Sequence, residues 1–310
     1  MWTYILQRLM QASLVLVGAS AIAFGAIFLS GDPAPMLAGE GATRQEVEEI
    51  RQRMGFDRPI YVQYLEFARG ALRGRMGISL RHNEPVFRLL AERLPATLEL
   101  AVSATVFAVL LGLPVGILSA VRPGSIYDAG GMGGALLAQS LPVFWLGLML
   151  ILVAGSQLRW FPISGRGGVE HLVLPSVTLG TYFVARNARM VRSSMLEVLG
   201  QDYIRTARAK GLPEWRVIGR HALRNSLIPV VTLMGLDFGA LLGGAVVVET
   251  VFAWPGVGRL MIQAIYVKDF PLVQGAVLML AAGFVVINLL VDLTYAYLEP
   301  RARHGWDLSS

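Results

Sequence analysis

The sequence predicts an all-α, polytopic membrane protein of about six transmembrane helices with a small helical extracytoplasmic insertion. Three observations carry that expectation: a composition shifted toward lipid, a series of long uncharged runs, and basic residues gathered on one side of those runs. The 310 residues are 55% hydrophobic and 15% charged, with a mean hydropathy of +0.57. A soluble domain has about 45–50% apolar and about 25% charged residues, so a cytosolic enzyme is excluded. Cysteine is absent, which removes disulfides, thiolate metal sites, a lipoprotein anchor and cysteine nucleophiles together. The net charge of +6 would suggest nucleic acid in a soluble chain, but in a membrane protein the placement of charge decides its meaning.

A helix needs about 20 apolar residues to cross a hydrocarbon layer about 30 Å thick. Leu9 to Leu29, Leu100 to Val121, Ala129 to Leu158 and Phe270 to Val291 meet this outright, and Ser226 to Val248 does so with Asp237 in its middle. A sixth run, Leu172 to Ala185, has only 14 uncharged residues and needs Arg186 and its neighbours to finish the crossing by snorkelling. The first run is too long for a signal core of about 7–15 residues and lacks an A-x-A-like site after it, so it reads as a retained helix. With six spans and an internal N-terminus, the inner segments hold 13 basic residues and the short outer loops 4. Both termini are therefore expected in the cytoplasm. The expected division is a first helix at 1–29, an extracytoplasmic insertion at 30–97, a five-helix core at 98–298 and a cytoplasmic tail at 299–310.

Within the insertion, Thr43 and Glu46 form a capping-box pattern, Val47, Ile50 and Met54 make a one-sided stripe, and Gly55 closes the helix. A second helix is expected near Pro59, burying Ile60, Tyr64, Leu65 and Ala68, and a third after Pro85, with Val86, Leu89 and Leu90 inward. The insertion reads as a solvated cap, a docking surface or a lid. The inner segment 186–226 carries nine basic residues against Glu197, Asp202 and Glu214, equal by itself to the net charge of the whole chain. Here Asp202 is expected to cap a short helix running to Lys210, Gly211 to break it, and Pro213 to start the next. That next helix would put Trp215, Ile218 and Ala222 on one face and Arg216, Arg220 and Arg224 on another. Such a helix-turn-helix suits either a cleft on a peripheral protein or an anionic lipid surface.

No G-x-x-x-x-G-K-[ST] loop, H-E-x-x-H or G-x-S-x-G occurs, and His82, His171, His221 and His304 are scattered. A catalytic site and a bound cofactor are thus not expected, and an intramembrane hydrolase finds no nucleophile and base. Of the acids in or near spans, Glu99, Glu249 and Asp292 lie close enough to span ends to be interfacial. Asp237 is more central, between Gly235 and Gly239, and either lines a polar cavity or is buried against a partner helix. Pro114, Pro142, Pro175 and Pro229 mark possible bends.

The stretch DYIRTARAKGLPEWRVIGRHALRNSLIP, Asp202 to Pro229, resembles the cytoplasmic coupling loop of permease subunits in bacterial ABC importers, in the dipeptide and oligopeptide branch. The general motif of that family is E-A-A, three residues, G, nine residues, I-x-L-P. Ala207 and Gly211 fit it, while Arg205, Thr206 and the HALR stretch depart from it in the manner of the peptide branch. SGDPA from Ser30, GFDRP from Gly55, ETVFAWPGVGRL from Glu249, KDFP from Lys268 and DLTYAYLEPRAR from Asp292 are similar to the subunit with a long first outer loop. The resemblance implies a second homologous permease, two cytoplasmic ATPase subunits on which ATP and magnesium act, and an extracytoplasmic binding protein. It also implies alternating access, a multi-pass place in the bacterial inner membrane, and seating of Ala207, Lys210, Gly211, Leu212, Pro213 and Trp215 in an ATPase cleft. Di- or oligopeptides, glutathione, nickel chelates or sugars are the solute classes it leaves open. The alternative from another class is an ion-coupled secondary transporter in which Asp237 carries the proton.

Overall fold

A computed structural model describes residues 2–29, 33–38 and 41–298. Ser30 to Asp32 of the SGDPA stretch, Glu40, and the tail from Glu299 with Arg301, Arg303 and His304 lie outside the described residues. Among the described residues every extended element is a helix, with one isolated bridge between Ile78 and Pro85. Packing divides the chain into two units, 1–97 with 255–286, and 98–254 with 287–310.

In the first unit, α1 (Trp2–Leu29), α2 (Pro33–Ala38), α3 (Arg44–Met54) and α4 (Ile60–Leu72) precede the start of α5 (Val86–Val121), and α12 (Val257–Tyr266) and most of α13 (Phe270–Leu298) complete it. The capping box forms as expected: the Thr43 hydroxyl accepts the Glu46 N–H, the Thr43 N–H donates to the Glu46 carboxylate, and Gly55 closes α3 at φ 72°. The Thr43 N–H and the Thr43 hydroxyl, which also donates to that carboxylate at 3.0 Å, hold the Glu46 carboxyl below its ordinary range. Helix α4 begins after Pro59 as expected, but no residue in it is fully buried, and Ile60 and Leu65 are exposed. Its contact face is Tyr64, as expected, together with Phe67, whose rings lie 5.6 and 5.9 Å from that of Phe24 on α1. The Tyr64 hydroxyl also lies 2.9 Å from that of Ser20. The seat is set by an aromatic on the first membrane helix, which the periodicity of α4 alone does not reveal.

After Pro85, Val86 and Leu90 are buried as expected, but the helix does not stop. It runs for 36 residues, about 54 Å at 1.5 Å per residue, so the expected boundary at Thr97 falls inside continuous α5. The Thr97 hydroxyl accepts the Val257 N–H at 2.9 Å and ties down the first turn of α12. Asp269, fully buried, caps α13: its carboxylate accepts the Leu272 N–H at 3.3 Å, the Arg81 N–H at 3.2 Å and the Ser79 hydroxyl at 2.5 Å.

The second unit holds the rest of α5, then α6 (Ile126–Ser140), α7 (Val143–Leu150) with a π-helical extension over Ile151–Gln157, and α8 (Val169–Leu199). It continues through α9 (Asp202–Ala209), α10 (Glu214–Arg216), a second π-helical turn over Val217–Ala222, and α11 (Leu223–Val251). The run Ala129 to Leu158, expected as one span, is broken by a bend of 100° between α6 and α7. Pro142 stands at the break as the residue before α7; without an N–H and with its ring against the preceding turn it ends α6. Pro175 and Pro229, by contrast, lie inside continuous helices.

Among the described residues, four helices are long and apolar enough to cross a membrane, and the bent α6–α7 pair makes a fifth. Helix α8, the weak span of the sequence, has 31 residues, about 46 Å, yet is too polar to qualify on hydropathy. Its sides face protein: Leu174, Thr178, Gly180, Phe183, Ala188 and Val191 are among its buried residues. Small residues allow that approach. A Cβ on Gly116 of α5 would meet the Ala188 carbonyl oxygen and the Val191 Cβ at 2.6 Å, and one on Gly180 would meet the Ala104 carbonyl oxygen at 2.6 Å. Polar atoms along α8 find partners there, such as Ser176 with Ser103 at 2.6 Å. A span shielded in this way does not need an apolar surface.

Candidate functional site

The basic segment between α8 and α11 forms an exposed bend with a packed underside. Gln201, not Asp202, is the N-cap of α9, and Asp202 occupies the first helical turn without a side-chain capping bond, where its charge favours the helix N-terminus. Gly211 follows the C-cap Lys210 at φ 74°, a conformation that disfavours any side chain, and a Cβ there would meet nothing within 4 Å. Pro213 is the N-cap of α10, one position earlier than expected. Arg208 spans the bend to Glu214, with Nε–Oε1 at 2.8 Å and Nη2–Oε2 at 3.4 Å.

Beneath the bend, Ile204, Ala207, Val217 and Ala222 join Val191, Met195 and Val230 in one buried cluster, with Leu212 packed against it. The expected docking set therefore divides. Ala207 and Leu212 face inward and support the bend, while Lys210, Gly211, Pro213 and Trp215 are exposed. Trp215 is 69% exposed, with the Arg216 guanidinium 5.0 Å from its ring centroid. The expected common face of Trp215, Ile218 and Ala222 does not form: Ala222 is buried, Ile218 half-buried and Trp215 outside. The π-helical turn from Val217 alters the angular step that an α-helical period assumes. Arg216, Arg220 and Arg224 are all exposed, and so are Tyr203, Arg205 and Thr206 of α9. Asn225 donates to the Tyr203 hydroxyl at 2.8 Å and joins α11 to α9.

Behind the bend lie two ion pairs. Arg192 of α8 grips Asp128 of α6 with both Nε and Nη2 at 2.7 Å, and the Gly124 N–H donates to the same carboxylate at 3.0 Å. Further along α8, Arg186 Nη1 stands 2.7 Å from Asp237 Oδ1 of α11. The Asp237 side chain is 4% exposed against 39% for Arg186, and neither Asp237 oxygen receives a well-aligned hydrogen bond. The contact is a charge pair whose angles fall short of a hydrogen bond. An isolated charge at mid-bilayer costs about 2.5–3.5 kcal/mol on insertion scales, so the two irregular residues of neighbouring spans resolve each other.

Near the opposite end of α8, Arg166 and Glu99 pair at 2.7 Å, with Glu99 partly exposed. Glu249, two residues before the end of α11, is fully buried beside the turn that carries buried Phe252 and Trp254, with the Trp254 N–H donating to its carbonyl oxygen at 2.8 Å. Asp292 is half-buried. Among the described residues no cluster of three histidine or acidic side chains could hold a metal ion.

Comparison with known proteins adds the context of this geometry. Residues 112–304 match the family described as binding-protein-dependent transport system inner membrane component, and residues 1–101 match the N-terminal region of such membrane components. The chain is 42% identical to the dipeptide transport system permease protein DppB of Escherichia coli K12, covering 98% of this chain and 99% of that one. It is 41% identical to the glutathione transport system permease protein GsiC of the same strain, covering 98% and 100%. Among solved structures, the MetNI methionine ABC transporter in an inward-facing conformation aligns with a TM-score of 0.55 at 24% identity, covering 68% of this chain and 94% of that one. An amino acid ABC transporter aligns at 0.52 and 17% identity, covering 69% and 94%. At these identities the two structures speak for the fold alone.

Proposed function

The chain belongs to the family of inner membrane components of binding-protein-dependent transport systems, and from that premise we propose that it admits di- or oligopeptides, glutathione or a similar small solute to the cytoplasm as one of two permeases in an ABC importer. An extracytoplasmic binding protein delivers the solute, and two cytoplasmic ATPase subunits supply the energy. ATP and magnesium act on those subunits, and this chain contributes a pathway without an ATPase site. Both termini and the 186–226 segment are cytoplasmic, as the basic residues indicate. The names of the 42% and 41% identical relatives support the peptide and glutathione classes.

Lys210, Gly211, Pro213 and Trp215 seat in the ATPase, with Ala207 and Leu212 as their packed base. The observation that carries this reading is the bend itself, a basic, exposed turn held rigid from beneath by a buried cluster and by the Arg208–Glu214 pair. ATP-driven closure of the ATPases tilts this bend, and α8 and α11, which leave it in two directions, transmit the tilt to the pathway. Access then alternates as a two-state equilibrium biased at both ends. The pairing of Asp237 with Arg186 speaks against that carboxylate as the proton carrier of the ion-coupled alternative.

Gly211→Leu tests the seating. The positive φ strains a leucine by about 1–2 kcal/mol, while the open space around the residue lets the chain fold and insert. In proteoliposomes holding the full complex, solute-stimulated ATP turnover should fall at least about tenfold, with both permeases still present. Turnover equal to that of the unsubstituted complex would remove Gly211 from the coupling surface.

A further inference from the structure

One face of α8 is buried along its length, but a polar stripe of Tyr182, Arg186, Arg189 and Ser193 remains open at helical spacing. Arg186 lies 17 residues from the start of α8 at Val169, and its partner Asp237 lies 8 residues beyond Pro229, where the apolar span of α11 begins. These separations correspond to about 25 Å and about 12 Å, so the pair sits at membrane depth. A half-exposed guanidinium at that depth does not face lipid; it faces water or protein. Asp237 engages one of its terminal nitrogens, and no other polar contact to Arg186 is found among the described residues. A guanidinium has five N–H donors in a rigid fork, so most of them remain directed elsewhere. One turn on, Arg189 donates to the neutral amide oxygen of Gln139 at 2.9 Å, and its charge is not cancelled by that contact. Arg192, the next arginine, is already taken up by Asp128 on two bonds. Taken together, Arg186, Arg189 and Asp237 leave one net positive charge on the open stripe.

We infer that Arg186 and Arg189 form a carboxylate subsite in the translocation pathway, in which Asp237 fixes the Arg186 fork and Arg189 supplies the net charge that attracts the carboxylate of a passing solute. The inference rests on the proposed class of solute, since peptides and glutathione all carry a free carboxylate. It assigns Asp237 a positioning role: the aspartate holds the arginine and does not touch the solute. Fork geometry matched to a carboxylate favours arginine over lysine here, and both positions are arginine.

The test uses the complete importer with its binding protein, reconstituted in proteoliposomes, with Ala-Ala, Ala-Ala-Ala and glutathione as probes. Arg186→Gln alone strands the Asp237 charge and can fail to assemble, so the informative variant is Arg186→Gln with Asp237→Asn, which removes both charges together. If the pair is only structural, the double variant assembles and transports like the unsubstituted complex, and the inference is overturned. If the subsite receives the carboxylate, the double variant assembles with both permeases and both ATPases present, but uptake falls about tenfold or more, the scale of one charge-assisted hydrogen bond. Arg189→Gln, which leaves the pair intact, should lower uptake in the same direction; no change in KM or rate for that variant overturns the second half of the site. A double variant that fails to assemble while Arg189→Gln transports normally assigns the stripe to packing against the second permease, and also overturns it. Absence of ATP-driven uptake of all three probes by the unsubstituted complex overturns the solute reading, and this inference with it.

Discussion

Single residues here do work that a motif conceals. The KDFP stretch appears in the sequence as four letters shared with a family, but its physical content is Asp269, a fully buried cap with three donors on one carboxylate. Replacing Asp269 with alanine would leave the Ser79 hydroxyl and the Arg81 and Leu272 N–H groups without their acceptor. The expected loss is about 2–4 kcal/mol, from one cap and the desolvated donors together. Asp269→Asn, which retains a carbonyl acceptor, should lose roughly half as much. Thermal unfolding of the purified protein in detergent checks both, and an alanine variant that melts with the unsubstituted chain would reduce Asp269 to a bystander. Arg186 and Asp237 teach the same lesson at a greater distance. Each stands out in its own span as a charge out of place, but their pairing joins residues 51 positions apart, and no local pattern encodes such a separation. A window of sequence sees a short span and an unwanted acid; only packing turns them into one feature.

Helices were legible in proportion to how independent they are of their neighbours. The capping box of α3 and the start of α5 after Pro85 depend on adjacent residues, and both form as the spacing predicts. The contact face of α4 depends on Phe24 and Ser20 of α1; its periodicity points to Tyr64 but also to the exposed Ile60 and Leu65, and misses Phe67. Trp215 leaves the face of Ala222 because a π-helical turn intervenes, and a run of 30 uncharged residues reads as one span because hydropathy does not register direction, although Pro142 within it marks the bend. Helix α8 is the clearest case, since packing of one face against α5, α6, α7 and α11 lets a helix of low hydropathy stand among the spans. That cover makes a prediction. Gly116→Val would place side-chain atoms against the Ala188 carbonyl oxygen and Val191, where even a Cβ finds only 2.6 Å. Overpacking against backbone should destabilise the helix pair by about 1–3 kcal/mol or more, measured as a lower unfolding temperature and a smaller yield of assembled complex. The same substitution at Gly133, where a Cβ meets nothing within 4 Å, should be tolerated by the isolated chain, and equal damage at both positions would argue against the close α5–α8 approach.

For the molecule as a whole, the decisive quantity is the number of crossings, because it fixes which side each polar segment occupies. Between Leu72 and Trp215 the chain passes through α5, the bent α6–α7 pair and α8. If α8 crosses, that makes three passages and opposite sides; if it does not, two passages return both residues to the same side. The absence of cysteine makes this directly measurable, since any thiol introduced is the only one in the chain. Leu72 is 90% exposed and Trp215 69% exposed, so a cysteine at either position is open to reagent when the chain is expressed with its partner permease and without the ATPases. A membrane-impermeant maleimide should label Leu72→Cys in intact cells and Trp215→Cys only after permeabilisation. Labelling of both in intact cells, or of neither, would remove α8 as a crossing and with it the separation of the two basic populations. The reversed pattern would keep six crossings but turn the 186–226 bend away from the cytoplasm, and no ATPase could then reach it.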